Sequence, residues 1–249
     1  MTMKALQGKK AVVTGGSRGI GRAIVERIAS EGAQVVFSYA QSESRAAEVE
    51  QTVAQAGGKA QGVQADFTDP ANAERLMRHA EDLLGGLDVL VNNVAMAFTP
   101  IPIVEIDDEL YDQVMATNLK STFLTTRYAA RNMRDAGRVI NISTVNTIRP
   151  GLGIALYTAS KGAIEQLTAA AARELGPRGI TVNTVSPGFT DTDLLRGANS
   201  EQQLAQIPAV TPLGRVGQPT DIAGVVAFLA GPDGRWVTGQ NIRATGGFA

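Results

Sequence analysis

Short β-branched stretches alternate with longer helical patterns along the whole chain. Residues 11–14, 34–38, 62–66, 87–92, 138–143, 180–186 and 241–244 read as strands, being rich in Val, Ile and Thr. Between them, residues 20–31, 44–56, 70–84, 107–134, 157–175 and 220–229 carry helical periodicity. Ile20, Ile24 and Ile28 recur at i, i+4, and Gly32 supplies a stop. Asp69 before Pro70 is a cap-then-proline start. Strict alternation predicts an α/β fold, a parallel sheet covered by helices on both faces. No tandem repeat, low-complexity tract or Pro/Ser linker divides the 249 residues, which predicts one domain over 1–249.

Composition narrows the function classes. With 23 basic and 24 acidic residues, the chain offers no broad surface for nucleic acid or an acidic membrane. The absence of cysteine excludes a disulfide, a thiolate metal site and a thiol nucleophile, and fits a reducing cytoplasm. The first ten residues have no signal-peptide core, and no apolar run reaches the ~18 residues of a membrane span. His79, the single histidine, lies in a charged helical stretch, and one imidazole cannot build a metal cluster, so no metal is expected.

The strand at 11–13 runs into Thr14-Gly15-Gly16-Ser17-Arg18-Gly19-Ile20-Gly21, and a helix follows at once. Glycines let the backbone turn tightly and let a pyrophosphate approach main-chain N–H groups at the positive end of a helix. This context points to dinucleotide binding. Two other motifs overlap the segment and fail. Gly15-x-Ser17-x-Gly19 matches a hydrolase nucleophile elbow, but no histidine follows on a strand-end loop. Arg22 and Ala23 stand where a Walker motif needs Lys and Ser/Thr. NAD enzymes place an acid at the end of the second strand, to hold the ribose 2′-hydroxyl. Here Ser38-Tyr39-Ala40-Gln41-Ser42 holds none, and Arg18 can pair with a 2′-phosphate, so NADPH is expected over NADH.

Tyr157 and Lys161, at i, i+4, stack on one helix face. A phenol titrates near pH ~10. An ammonium ~4 Å away is worth ~4 kcal/mol at an effective dielectric of ~20, enough to tune the tyrosine as a proton donor.

The glycine turn, Tyr157-x-x-x-Lys161 and the alternating α/β pattern together resemble the short-chain dehydrogenase/reductase family, over residues 10–248. Asp66, Asn92-Asn93, Asn118 in Thr117-Asn118-Leu119, Pro187-Gly188, Thr238-Gly239-Gln240 and Gly246-Gly247 extend the likeness. The most similar subgroup is the 3-oxoacyl-carrier-protein reductases and related carbonyl reductases. The resemblance implies a single-domain Rossmann fold, a doubly wound seven-stranded parallel sheet in the order 3-2-1-4-5-6-7. It also implies NADPH-dependent reduction of a ketone.

In that family's terms Tyr157 would protonate the carbonyl oxygen, and Lys161 would lower its pKa and hold the nicotinamide ribose. Asn118 would anchor a water in a proton relay. Cofactor positions carried over are Gly15, Ser17, Arg18, Gly19, Ile20 and Gly21 in the turn, with Ser38 and Tyr39 after it. Asp66 and Phe67 would lie near the adenine, followed by Asn93, Val94 and Ala95. Pro187, Gly188, Thr190 and Thr192 would line the nicotinamide, which Tyr157 and Lys161 also approach. The substrate would meet Met96, Phe98, Thr144, Ile148, Leu152 and Tyr157, under a mobile lid at about 190–215.

Three departures stand out. Thr144 occupies the usual serine position, with Ser143 beside it; alternation sends the two to opposite faces, and Thr144 is favoured. Asn93-Val94-Ala95 replaces Asn-Ala-Gly, which questions the local backbone path. Arg178 is a basic residue for an acyl carrier protein to meet, but Asp135 is an acid where another base is expected, so a free or coenzyme-linked ketone is at least as good a substrate. Ala163 and Ala169 to Ala172 permit close helix contacts, and the resemblance implies a homotetramer. The competing readings are an oxidative NAD-dependent alcohol or sugar dehydrogenase, and a cofactor-binding regulator with little turnover. The sequon Asn141-Ile142-Ser143 falls in an expected buried strand and is discounted.

Overall fold

A computed structural model describes residues 4–96 and 99–249. Seven strands form one parallel sheet in the order β3-β2-β1-β4-β5-β6-β7. They are β1 Lys10–Val13, β2 Gln34–Tyr39, β3 Lys59–Gln64, β4 Val89–Asn92, β5 Arg138–Ile142, β6 Thr181–Pro187 and β7 Asn241–Ala244. The α-helices are α1 Gly19–Ser30, α2 Glu43–Gln55, α3 Ala71–Leu84, α4 Asp108–Val114, α5 Ser121–Asn132, α6 Ala155–Leu175, α7 Asp193–Ala198, α8 Glu201–Val210 and α9 Pro219–Ala230. Strand alternation divides the core in two. Ala11 and Val13, Val35 and Phe37, Val89 and Val91, and Ile140 and Ile142 face α1, α2 and α9. Val12, Val36, Leu90 and Val139 point the other way, toward α3, α5 and α6. Both faces are therefore covered, and the strands read as nearly continuous apolar runs.

The order reverses between β1 and β4, so the crevice past their carboxyl ends is where such a sheet takes a ligand. The glycine turn leaves β1 here, Asn93 follows β4, Ser143 and Thr144 follow β5, and β6 ends at Pro187.

Two expectations need correction. The helix expected over 107–134 is broken: α4 passes through a π-helical turn, Met115–Lys120, before α5. Asn118 lies in that turn, and its side chain is drawn sideways into contacts described below. Hydroxyls of Ser121 and Thr122 bond back to the carbonyls of Thr117 and Asn118, another perturbation of the α ladder. Next, β3 begins at Lys59 rather than residue 62 and ends at Gln64. It is the sheet edge, so Lys59 and Gln61 can point to solvent and hide the strand from a hydrophobic pattern. The segment expected as a lid holds two helices, and Ser200 and Gln203 form a capping box on α8.

Candidate active site and cofactor cleft

Helix α6 turns one stripe of residues inward: Tyr157, Ser160, Lys161, Ile164, Thr168, Ala171 and Leu175 are all buried. The periodicity that packs this helix on the sheet thus also carries Tyr157 and Lys161 into the interior. Lys161 is 2 % exposed, and its Nζ donates to the carbonyl of Ile142, at the end of β5, over 2.9 Å. Burial of the ammonium lowers its pKa from 10.5 to about 8.

The Tyr157 phenol is hydrogen-bonded to the Thr144 hydroxyl. Burial is the dominant influence and raises its pKa; the Thr144 bond opposes the rise. The lowering expected from Lys161 is not what governs the phenol here. Thr144 Oγ1 also accepts from the Asn146 N–H at 3.2 Å, as cap of a short 3₁₀ turn. With an acceptor lone pair occupied that way, the Thr144 proton is free to point at the phenol oxygen. Ser143 turns away. Its Oγ donates to Glu165 Oε1 at 2.7 Å and lies 3.4 Å from the Lys161 carbonyl. Glu165 also meets Ser186 at 3.4 Å, which ties the ends of β5 and β6 to α6.

Asn118 is fully buried and held from two sides. Its Oδ1 accepts from the Met96 N–H at 2.8 Å, and its Nδ2 donates to Ser160 Oγ at 3.0 Å. Ser160 in turn donates to the Tyr157 carbonyl at 2.7 Å. The π turn therefore braces both the chain after β4 and the first turn of α6. A further buried network lies beneath. Asn92 donates to Asn141, Asn141 donates to Thr168, and Thr125 donates to Asn92. Asn141 is fully buried with its amide committed, so the sequon is closed to modification.

At the other end of the crevice, the glycine turn is shaped to lie close to its neighbours. Gly15 and Gly19 adopt φ of 69° and 53°, which disfavour any side chain. A Cβ on Gly21 would stand 2.0 Å from the Gly15 carbonyl. Ser38 Oγ accepts from the Gly15 N–H at 2.9 Å, and Asn93 Nδ2 donates to the carbonyls of Thr14 and Gly15, both at 3.1 Å. Ser38 and Asn93 thus hold the turn from behind. Helix α1 begins without a side-chain cap, which leaves its first-turn N–H groups for an anion. That cradle fits a pyrophosphate. A cleft of about 560 Å³ opens beside it, bordered by Ser17, Arg18, Gly19, Arg45, Thr192 and Asp193.

The sheet order, this turn and the tyrosine–lysine pair on α6 specify a family, and comparison with known proteins agrees. Residues 15–249 match the family model described as enoyl-(acyl carrier protein) reductase. An uncharacterised oxidoreductase of Methylorubrum extorquens is 44% identical over 98% of this chain and 99% of its own length. The 3-oxoacyl-[acyl-carrier-protein] reductase of Vibrio cholerae is 38% identical over 97% and 98%. The solved short-chain dehydrogenase/reductase of Serratia marcescens superposes with a TM-score of 0.92, at 45% identity, over 98% of this chain and 99% of that one. The chain belongs to the short-chain dehydrogenase/reductase family. One further family structure, a blue fluorescent protein from a metagenomic library in complex with NADPH, has a TM-score of 0.92 and 42% identity over 98% and 99%.

The other expected positions of this short-chain dehydrogenase/reductase make contacts of their own. Asp66 is exposed in a turn of its own, with Oδ1 accepting from Thr68 N and Oγ1, both at 2.9 Å; Phe67 is buried in the core. Ile20, Tyr39 and Val94 pack against core clusters. Ala95 does not take the left-handed conformation that a glycine there would permit; among the described residues the one non-glycine that does is Ala136. Pro187 is buried, and Gly188 lies against Thr245, where a Cβ would come within 2.8 Å of its Cα. Thr190 and Thr192 bond within their own segment, to Gly188 O at 3.1 Å and Thr190 O at 3.3 Å. Of the substrate positions, Met96 sits beside Asn118, while Ile148 and Leu152 reach solvent at 44% and 97% exposure. Phe98 lies outside the described residues. Arg178 is committed to Asp135 at 2.9 Å and to the carbonyls of Ala130 and Met133.

Sequence reading missed three residues. Ser160 sits between the tyrosine and the lysine, where its position in that turn was the available signal. Glu165 follows Lys161 by one turn on the same face. Arg45 lies past the stretch 38–42, in the first turn of α2, where no strand-end pattern marks it.

Proposed function

We propose that this short-chain dehydrogenase/reductase reduces a small ketone to a secondary alcohol using NADPH, with Tyr157 as the general acid. The observation that carries the reading is the directed chain Asn146 N–H to Thr144 Oγ1 to the Tyr157 phenol, in a buried setting. A hydroxyl that donates to the phenol oxygen leaves the phenolic proton for another acceptor, and a substrate carbonyl is the natural one. The same Thr144 bond stabilises the phenolate left behind. Lys161 keeps a cation in the same buried wall, close enough to neutrality in pKa to pass a proton onward. Asn118 fixes Met96 and, through Ser160, the turn that bears Tyr157.

The nicotinamide supplies a hydride to the carbonyl carbon when bound; the glycine cradle and the α1 N-terminus would hold its pyrophosphate. NADPH is favoured over NADH because β2 ends without an acid and Arg18 and Arg45 border the cleft beside the turn. The NADPH-bound metagenomic relative supports the same choice. Arg178, already committed, is poorly placed to greet an acidic carrier protein, which favours a free or coenzyme-linked ketone. We also propose a homotetramer. Phe123, 44% exposed, borders an apolar groove with Met115, Leu119 and Leu167, and Trp236 is 95% exposed. Light scattering should return about four times the 26.1 kDa chain mass, and a monomer would end that idea.

The test of function is an NADPH-oxidation screen over β-ketoesters, acetoacetyl thioesters, diketones and cyclic ketones, with Tyr157→Phe as control. At least one class should be turned over and the control should not. Tight NADPH binding with no turnover anywhere would favour the regulatory reading instead.

A further inference from the structure

Helix α7 opens with Thr192 as its cap and Asp193 as its first residue. The Thr192 methyl group lies against the glycine turn, 3.3 Å from where a Cβ on Gly19 would stand. From that position the Asp193 carboxylate reaches the two arginines beside the turn. Its Oδ2 is 3.0 Å from Arg45 Nη1 and 3.7 Å from Arg18 Nη1. The three side chains come from three parts of the chain, and Arg45 and Asp193 are 148 positions apart. No local helix geometry brings them together. The cleft's other arginines are engaged elsewhere: Arg22 with Glu26 at 2.7 Å and Glu48 at 3.6 Å, and Arg196 with both oxygens of Asp191. Arg18 and Arg45 thus converge on one anionic oxygen, in a cleft with room for a larger anion.

We propose that Asp193 is an internal stand-in for the cofactor's 2′-phosphate, a specificity-determining residue that also links cofactor choice to the position of α7. The inference rests on the NADPH reading above. A phosphate monoester carries about −1.5 to −2 charges at neutral pH and three acceptor oxygens, against one charge and two oxygens for the carboxylate. It therefore displaces Asp193 from both guanidiniums, and α7 loses its tie to Arg18 and Arg45. NADH has only a hydroxyl at that position. It leaves the ion pairs in place and α7 latched. Asp193 thereby opposes NADPH by competition, and it makes release of α7 a response to the phosphate rather than to the dinucleotide as a whole.

The test is Asp193→Asn, which keeps size and removes charge at an exposed position. Fluorescence titration at low salt should give NADPH binding about fivefold tighter than wild type, NADH binding within twofold, and loss of the NADPH gain at about 1 M salt. Hydrogen exchange at residues 193–198 should speed up in the wild type with NADPH but not with NADH, and should be fast in the variant without cofactor. Weaker NADPH binding in the variant, or unchanged binding of both cofactors, overturns the proposal. Arg45→Ala separates the two levels. If it leaves NADPH affinity intact, the NADPH reading of the cleft has failed. If it weakens NADPH while Asp193→Asn changes nothing, the stand-in alone has failed.

Discussion

The two ends of the crevice are built from different materials. Around Tyr157, charge and hydroxyls are buried in a fixed frame: Thr144 on the phenol, Ile142 under Lys161, Ser160 and Met96 on Asn118. Around Arg18 the partners are exposed, between 48% and 60%, and bridge distant segments. Burial gives the first region precision, because an unmade bond there costs the full desolvation of the group. Exposure gives the second region exchangeability, because each ion pair is weak enough for an incoming anion to replace. A proton donor needs the former. A cofactor that must enter and leave needs the latter.

The largest effect should come from the buried end. Tyr157→Phe should lower kcat about 10³-fold while leaving NADPH affinity within twofold. If cofactor affinity falls as steeply as turnover, the two regions are not separable and the contrast fails.

Lys161 offers a second challenge, read as stability. Its folded pKa of about 8 lies below the ordinary 10.5, so the unfolded chain binds the extra proton between those values. The penalty for burying the charge is fully present below about pH 8 and is relieved as pH rises to about 10.5. Relative to Lys161→Met, wild-type stability should therefore gain about 3 kcal/mol across that window in parallel denaturant titrations. A flat difference would mean the ammonium is not desolvated.

Thr144→Ala should reduce kcat about 10- to 100-fold, and Ser143→Ala much less, because Ser143 faces Glu165. The reverse ranking would exchange their roles. Smallest of all, Arg45→Ala should weaken NADPH about fivefold at low salt and hardly at all at high salt. Salt-independent loss would move Arg45 into the class of buried, rigid groups.

The sheet was legible because its information is local: Val12 facing one layer and Val13 the other is written in adjacent letters. The glycine turn and the tyrosine–lysine pair were legible for the same reason, as fixed short spacings. The π turn was not. An extra residue in a helix changes no hydrophobic count, and its cause, Asn118 reaching Met96 and Ser160, lies 22 and 42 positions away. The latch on Arg45 was hidden by a longer separation still, and by exposure, since a surface aspartate is an ordinary residue in any sequence. The start of the edge strand β3, residues 59–61, escaped because only one of its faces has anything to hide.

The π turn also makes the length of this helix matter in a way that its composition does not. Removing one residue from 115–120 would return the segment to α spacing; the wide turn absorbs that residue, so α4 and α5 would keep their faces while the turn itself closes. Asn118 would then swing off both partners with no change in hydrophobicity, charge or helix propensity. A single-codon deletion there should therefore be more damaging than most substitutions, an indel sensitivity confined to six residues of an otherwise ordinary helical hairpin arm.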